Sequence, residues 1–176
     1  MNNIFIITPT FNDSRSLNKL LFFLNKDINK KKAKFRVVII NDCSSEKISL
    51  KTKNFHIFKN IKILNLKKNV GSQKAIYIGL KYIKKYKYKS TIAILDSDGE
   101  DNPDKLKKLV DLAVKDRKVV FVANRSKRLE NISLRILNNL RLLITFIITG
   151  KNMNFGNFSA FSSENLKNIF SNANLW

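Results

Sequence analysis

The sequence has 176 residues, of which 44% are hydrophobic, and it carries a formal net charge of +21 at pH 7. Its length is typical of a single domain, and its apolar content is enough for a core and excludes an intrinsically disordered chain. One Cys and one His exclude an intrachain disulfide and a Cys/His zinc site. The positive charge comes mostly from Lys, and it has two interpretations: a surface that binds nucleic acid or anionic membranes, or a bias in the overall composition.

Short apolar runs alternate along the chain with segments of helical periodicity. The first run, Ile4 to Thr8, is followed by Pro9, which we expect to end it. Strands are predicted at residues 4–8, 35–40, 61–66, 91–95, 119–123 and 155–163, and helices at 17–24, 69–85, 103–114, 132–148 and 164–170. The second of these helices should bury Ala75, Ile78, Gly79, Tyr82 and Ile83. This alternation predicts an α/β fold with a mainly parallel sheet and helices on both faces.

Two carboxylates follow the predicted strand at 91–95. Asp96 and Asp98 emerge there two residues apart, and Asn102 with Pro103 is suited to begin the next helix. Ionised carboxylates beside a buried strand need a partner, and carboxylate oxygens suit Mg²⁺ or Mn²⁺. The pattern indicates a divalent-metal site, with a solvated acidic turn as the alternative.

Polar residues follow four of the predicted strands. They are, in chain order, Pro9 with Thr10, Asp42, Asp96 and Arg125. In parallel sheets, ligands bind at the carboxyl ends of the strands. We therefore expect these residues, distant in sequence, to lie together on one edge of the sheet and to form a binding site.

A site with carboxylates, a divalent cation and an Arg is suited to bind a nucleoside diphosphate. The cation would act as a Lewis acid and neutralise the diphosphate as it leaves the substrate. Asp42 could accept hydrogen bonds from a nucleobase or a ribose. Arg125 and Arg128 offer forked donors for phosphate oxygens, and a solvated basic loop is their alternative. The sequence contains no Walker-A motif and no G-x-G-x-x-G after the first strand, so we expect neither a P-loop enzyme nor a dinucleotide-binding domain.

Several motifs follow one another in a characteristic order. They are Pro9-Thr10-Phe11-Asn12-Asp13, Ile40-Asn41-Asp42-Cys43-Ser44-Ser45-Glu46, Asn69-Val70-Gly71 and Asp96-Ser97-Asp98-Gly99-Glu100-Asp101-Asn102-Pro103. Together they resemble the family 2 glycosyltransferases of the GT-A fold. Arg125 with Arg128, and residues 154–159 (Asn-Phe-Gly-Asn-Phe-Ser), resemble the branch that contains dolichyl-phosphate mannose synthase and bacterial polyprenyl-phosphate glycosyltransferases.

The resemblance implies a role for each matching position. The residues that would line the nucleotide pocket are Pro9, Thr10, Asn12 and Asp13. Asp42 would hold the base, and the loop of Gly71 would close over the nucleotide. Asp96 and Asp98 would bind the metal and the diphosphate, with Glu100 as a further ligand. The implied reaction is inverting sugar transfer, by single displacement at the anomeric carbon, in cell-envelope polysaccharide synthesis.

The prediction of the acceptor is supported by fewer residues. Arg125 and Arg128 would face an acceptor phosphate, and Asp98, Arg125 and Arg128 would form the catalytic set. A sugar hydroxyl needs a general base, for which the last third of the chain offers no good candidate, whereas a lipid phosphate is already anionic. The apolar segment 132–148 either packs on the sheet or lies on a membrane surface. We therefore expect a UDP- or GDP-linked sugar as donor, polyprenyl phosphate as acceptor, and no nucleic-acid partner.

Three positions depart from the family pattern. Asn41 stands where the family often has Asp, and Asn157 and Ser159 stand where the lipid-phosphate branch usually has Asp and Arg. Residues 1–176 are expected to form one GT-A domain, shortened at its C-terminal acceptor side, in the cytoplasm or at the inner face of the membrane. Two other functions stay open: a sugar-phosphate nucleotidyltransferase, and a non-catalytic module that binds nucleotide sugars or nucleic acid.

Overall fold

The computed structural model describes residues 2–28, 33–51, 55–98, 101–102, 104–124 and 155–171. Over these residues, strands and helices alternate as the sequence predicts. The elements are β1 (Asn2–Thr10), α1 (Ser14–Ile28), β2 (Ala33–Asn41), β3 (Phe58–Asn65), α2 (Ser72–Lys84), β4 (Thr91–Ile94), α3 (Asp104–Lys115), β5 (Phe121–Asn124), β6 (Phe155–Ser162), a 3₁₀ turn (Ser163–Asn165) and α4 (Leu166–Ser171).

The six strands form one sheet in the order β3-β2-β1-β4-β6-β5. Strands β1 to β4 run parallel, and β6 lies antiparallel to both β4 and β5. The predicted mainly parallel sheet is therefore confirmed, with one reversed strand. The reversal matters for the site, because the pair Ile94–Ser159 continues to bring Asn157 opposite Asp96.

Helices cover both faces of the sheet, as predicted. Ile4 and Ile6 point toward α1 and α3, whereas Phe5 and Ile7 point toward α2 and α4. The side chains of β4 are buried along its whole length, because parallel strands covered on both faces carry apolar residues at every position. The leucines that α1 turns toward the sheet are all buried: Leu17, Leu20, Leu21 and Leu24.

One local prediction was wrong, and a second was confirmed only in part. Pro9 does not end the first strand but lies within it, paired with Ile40. The ladder between β1 and β4 ends at the Ile7–Ile94 pair, so the missing N–H of proline costs no hydrogen bond there. On α2, the buried residues are Ala75, Ile76, Gly79, Leu80 and Ile83, whereas Ile78 and Tyr82 are only partly buried.

The fifth strand begins later than predicted, because its ladder with β6 starts at Phe121. Val119 and Val120 precede it and are exposed. The predicted helix at 132–148 lies outside the described residues. In the part of the chain that is described, no helix combines the length and the apolar character needed to cross a bilayer.

Candidate active site

The carboxyl ends of β1, β2 and β4 meet at one edge of the sheet. The Asp42 N–H donates to the Thr10 carbonyl at 2.9 Å, and the Ser97 hydroxyl donates to the Pro9 carbonyl at 2.9 Å. These contacts tie the residues after β2 and β4 to the end of β1. The structure thus brings Pro9, Thr10, Asp42 and Asp96 to the same edge, whereas Glu100, Arg125 and Arg128 lie outside the described residues.

Asp42 is buried, with 3% of its surface exposed. Its Oδ1 accepts from the Val70 N–H and its Oδ2 from the Gly71 N–H, both at 2.8 Å. Gly71 has φ +83° and ψ 156° and directly precedes α2, a backbone conformation that is essentially restricted to glycine. Asp42 and the Gly71 loop are therefore one unit, because the carboxylate fixes the loop through two charge-assisted hydrogen bonds.

Asn12 and Asp13 connect β1 to its neighbours. The Asn12 Oδ1 accepts from the Ser45 N–H at 2.8 Å, and the Asn12 N–H donates to the Ser44 Oγ at 2.9 Å. Asp13 accepts from the Ser16 N–H at 2.8 Å, which makes it the N-cap of α1. Asn12 thus holds the loop after β2, and Asp13 holds the start of α1, whereas their place in a nucleotide pocket stays a prediction.

Thr10 carries a polar atom that the protein leaves unpaired. Among the described residues, the buried side-chain oxygens or nitrogens without a hydrogen-bond partner are the hydroxyls of Thr8 and Thr10. An unpaired buried hydroxyl costs about 1–3 kcal/mol. Because Thr10 is the last residue of β1, its hydroxyl is the one at the predicted ligand edge.

Asp96 is only partly buried and is approached from β6. The Asn157 Nδ2 donates to Asp96 Oδ1 at 2.9 Å and to Oδ2 at 3.2 Å. The Asn157 Oδ1 in turn accepts from the Gln73 Nε2 at 2.7 Å. On the backbone side, the Asp96 N–H donates to the buried Asp101 carboxylate at 3.0 Å. Gln73 and Asp101 were not identified as site residues from the sequence, and Asn157 was noted only as a departure from the family pattern.

A line of contacts joins the two carboxylates across the edge. It leads from Asp42 to the Gly71 N–H, along the first turn of α2 to Gln73, and through Asn157 to Asp96. No sequence pattern indicates this line, since Gln73 and Asn157 are 84 residues apart. The start of α2 therefore contacts both ends of the edge, through Gly71 at Asp42 and through Gln73 at Asn157.

The structure describes two of the three predicted metal ligands. Asp96 is partly buried and Asp98 is exposed at the end of β4. No group of three or more His, Cys, Asp or Glu side chains suited to a metal occurs within the described ranges, which omit Glu100. Two carboxylates still fit Mg²⁺ or Mn²⁺, because Mg²⁺ usually takes one or two protein carboxylates and completes its shell with phosphate oxygens and water. The metal stays a prediction.

Comparison with known sequences gives two findings. The family model for glycosyl transferase family 2 matches residues 5–169. The "uncharacterized glycosyltransferase sll0501" of Synechocystis sp. is 25% identical over 124 residues, which are 70% of this chain and 38% of that protein.

Comparison with solved structures identifies TarS of S. aureus, residues 1–349. Its complex with UDP superposes with a TM-score of 0.60 at 22% identity, over 97% of this chain and 49% of that one. Its complex with UDP-GlcNAc gives a TM-score of 0.55 at 19% identity, over 97% and 48%. These likenesses confirm the predicted GT-A-type fold. The chain spans less than half the length of these relatives.

Proposed function

This chain belongs to glycosyl transferase family 2, and from that premise we propose that it transfers a sugar from a nucleotide-diphosphate sugar to an acceptor. The observation that carries the proposal is the line of contacts, through hydrogen bonds and the first turn of α2, that joins Asp42 to Asp96 at the carboxyl edge of the sheet. This edge is where parallel α/β sheets bind their ligands. Because TarS has been solved with UDP and with UDP-GlcNAc, we take a uridine nucleotide as the first donor to test, with a guanosine nucleotide as the alternative.

The nucleotide would occupy the side of the edge formed by β1 and β2. Asp42 and the Gly71 loop would border the base, and the unpaired hydroxyl of Thr10 would gain a partner there. Pro9, Asn12 and Asp13 would complete this border. A ligand that pairs a buried unsatisfied hydroxyl gains affinity from it, which makes Thr10 a useful reporter of this part of the proposal.

The diphosphate would lie at the end of β4. Asp96 and Asp98 would hold a divalent cation there, with Glu100 as a further ligand. A bound Mg²⁺ or Mn²⁺ would neutralise charge that develops on the diphosphate. Asn157 would keep the Asp96 carboxylate turned toward the cation, since its amide donates to both oxygens. Outer contacts of this kind orient the ligands of metal sites.

In the proposed reaction, an acceptor oxygen attacks the anomeric carbon as the bond to the diphosphate oxygen breaks. The bonding electron pair leaves with the diphosphate, and the configuration at the carbon inverts. A polyprenyl phosphate is our proposed acceptor because its oxygen is already anionic and transfers no proton. Arg125 and Arg128 would face that phosphate, and the enzyme would act at the inner membrane surface.

A thermal-shift panel tests the donor. Ligands that bind the native state raise its melting temperature, so UDP, UDP-sugars and GDP are compared with Mn²⁺ and with EDTA. We expect a larger shift with Mn²⁺ for the cognate nucleotide, and Asp98→Asn should remove the Mn²⁺ dependence. Shifts for every nucleotide alike, or for none, would contradict the proposal.

A product assay tests the acceptor. The cognate nucleotide sugar is incubated with polyprenyl phosphate or with a free saccharide. Arg125→Ala should abolish glycolipid formation without changing nucleotide binding, whereas Lys118→Ala, at an exposed position beyond α3, should leave glycolipid formation unchanged. Product that forms only with the saccharide would refute a lipid-phosphate acceptor.

A further inference from the structure

The outer face of α1 carries aromatic and cationic side chains in one stripe. Its members are Arg15, Lys19, Phe22, Phe23 and Lys26, all of which are exposed. Their spacing of three to four residues places them on one side of the helix, away from the buried leucines. Phe22 is 52% and Phe23 is 49% exposed. Single exposed apolar residues are common on protein surfaces, but adjacent ones beside a groove point to a partner.

The stripe borders a groove of about 680 Å³ between α1 and the segment that follows β2. The residues that line it are Ser14, Arg15, Asn18, Lys19, Phe22, Phe23, Ser49, Lys51 and Phe55. Asn18 fixes the two walls together, because its Nδ2 donates to the Ser49 carbonyl at 2.8 Å and its Oδ1 accepts from the Lys51 N–H at 2.9 Å. Ile48 anchors the second wall in the core. The shape of the groove is thus fixed by hydrogen bonds between its walls and by packing of one wall against the core.

The charges around the groove select the kind of partner. Its described lining includes Arg15, Lys19 and Lys51 but no carboxylate. A second copy of this chain is a poor occupant, because two molecules of net charge +21 repel each other. An anionic partner is favoured by charge complementarity.

We propose that this face of α1 binds the surface of a bilayer that contains anionic phospholipids. Two adjacent exposed Phe rings with cations on either side offer both apolar area and positive charge, the two contributions that strengthen binding at an anionic membrane surface. The rings would enter the boundary between headgroups and acyl chains, while Arg15, Lys19 and Lys26 contact phosphate headgroups.

This inference is independent of the proposed acceptor and of segment 132–148. Its test therefore uses vesicles that contain neither polyprenyl phosphate nor nucleotide sugar. The wild-type protein is floated with vesicles of phosphatidylglycerol and phosphatidylcholine, and in parallel with pure phosphatidylcholine, at physiological ionic strength. We expect co-flotation with the anionic vesicles alone. An absence of flotation, or equal flotation with both, would overturn the proposal.

The aromatic contribution is tested with Phe22→Ser/Phe23→Ser. We expect its partition into anionic vesicles to fall at least about tenfold, since half-exposed Phe rings gain from apolar burial. The matched control is Val119→Ser/Val120→Ser, an adjacent pair with 43% and 44% exposure at another place in the fold, which should bind like the wild type. Melting curves check that each variant folds; if the double variant does not, Phe22→Ser replaces it.

The charge contribution needs a stricter control, because a strongly basic protein binds anionic surfaces without specificity. Arg15→Gln/Lys19→Gln should lower the partition roughly 30-fold, since each cation near the surface contributes about 1 kcal/mol. Lys107→Gln/Lys108→Gln removes the same charge from the exposed face of α3 and should have a much smaller effect. Equal losses in the two variants would show diffuse attraction and would refute the α1 surface.

Discussion

Asp42 and Asp96 end two strands that both neighbour β1, yet the protein holds them in different ways. Asp42 is buried, and both its oxygens accept backbone N–H groups of the Gly71 loop. Asp96 is partly exposed, and both its oxygens accept the side-chain amide of Asn157. A backbone amide is fixed by the fold, whereas a side-chain amide can rotate. The end of β2 is therefore built as an anchor, and the end of β4 as an adjustable contact.

The residues around Asp42 and Asp96 also differ, with local contacts at the end of β2 and a long-range contact at the end of β4. At the end of β2, the Asn41 Oδ1 accepts from the Ser44 N–H at 3.0 Å, and its Nδ2 donates to the Asn65 Oδ1 at 2.9 Å. Local side chains close this loop, and Cys43 adopts φ +63° within it. At the end of β4, by contrast, a hydrogen-bond donor to the Asp96 carboxylate comes from Asn157, 61 residues away. In the reaction proposed above, the bond that breaks lies on the diphosphate side, so a fixed end at β2 and an adjustable end at β4 would suit that proposal.

The largest effect is expected for Asp42→Ala. This substitution removes the acceptor of the Val70 N–H and leaves the Gly71 N–H with the Asn69 Oδ1 at 3.2 Å, and a hydrogen bond to a charged group contributes about 1.5–3 kcal/mol. We expect the free energy of unfolding in urea to fall by about 2–4 kcal/mol, together with weaker nucleotide binding. Asp96→Ala, the same change at the adjustable end, should cost less stability. An equal or larger loss for Asp96→Ala would reverse the comparison.

The Gly71 loop gives the next largest effect. At φ +83° and ψ 156°, an alanine would be strained by about 1–3 kcal/mol. An added Cβ would meet no atom within 4 Å, so Gly71→Ala tests the backbone conformation alone. Lys74→Ala, at an exposed position in the same first turn of α2, is the control and should change the unfolding free energy little. If Gly71→Ala is equally neutral, Asp42 does not hold the loop in this conformation.

Much of the anchor end could be predicted from the sequence. The apolar run before Asp42 gives a buried strand, and Asn69-Val70-Gly71 marks a turn before a helix, so both lie at the carboxyl edge of a parallel sheet. What the sequence did not indicate is that Asp42 and Gly71 contact each other. That contact depends on where α2 crosses the sheet, which the packing of Gly79 against Ile7 and Ile40 decides: an added Cβ there would lie 2.8 Å from the Ile40 Cδ1.

The adjustable end was less predictable. Asp96 was identified because it follows a buried strand, but its partner depends on the direction of β6. Alternation rules predict a parallel strand, and β6 enters antiparallel between β4 and β5. Only this reversal brings Asn157 opposite Asp96 and within reach of Gln73. A long-range pairing of this kind leaves no local periodicity, so the sequence reveals the residue but not its contact.

Asn157 tests the adjustable end directly. Asn157→Ala should lower the unfolding free energy by only about 1 kcal/mol. It should lower the Mn²⁺-dependent affinity for nucleotide by about 10- to 100-fold, because the loss of a residue that orients a metal ligand usually has an effect of this size. Calorimetric titrations with and without Mn²⁺ measure this difference. Gln73→Ala, one contact further away, should have a smaller effect.

Asn157→Asp distinguishes orientation from charge. It places a second carboxylate beside Asp96, and the repulsion between like charges should make nucleotide binding depend more strongly on Mn²⁺ than in the wild type. Unchanged Mn²⁺ dependence in both Asn157 variants would show that Asn157 supports only the sheet.

The smallest effect is expected for a third carboxylate, that of Glu164. The partners of this carboxylate are solvent-exposed cationic side chains rather than backbone N–H groups or a side-chain amide. Glu164 contacts the Lys89 Nζ at 2.9 Å and the Arg117 Nη1 at 3.5 Å. The hydrogen bond from Lys89, with the nearby charges, lowers the pKa of Glu164 below its ordinary value.

Because the folded pKa of Glu164 lies below the unfolded one, the stabilisation is present above the unfolded pKa and is lost as the pH falls through the folded pKa. It should be small, since exposed ion pairs are screened. Urea unfolding of the wild type and Glu164→Gln should therefore differ slightly at neutral pH and converge as the pH falls below the folded pKa, whereas the exposed Glu46→Gln serves as control. A difference that grows on acidification would mean that Lys89 does not stabilise the ionised form.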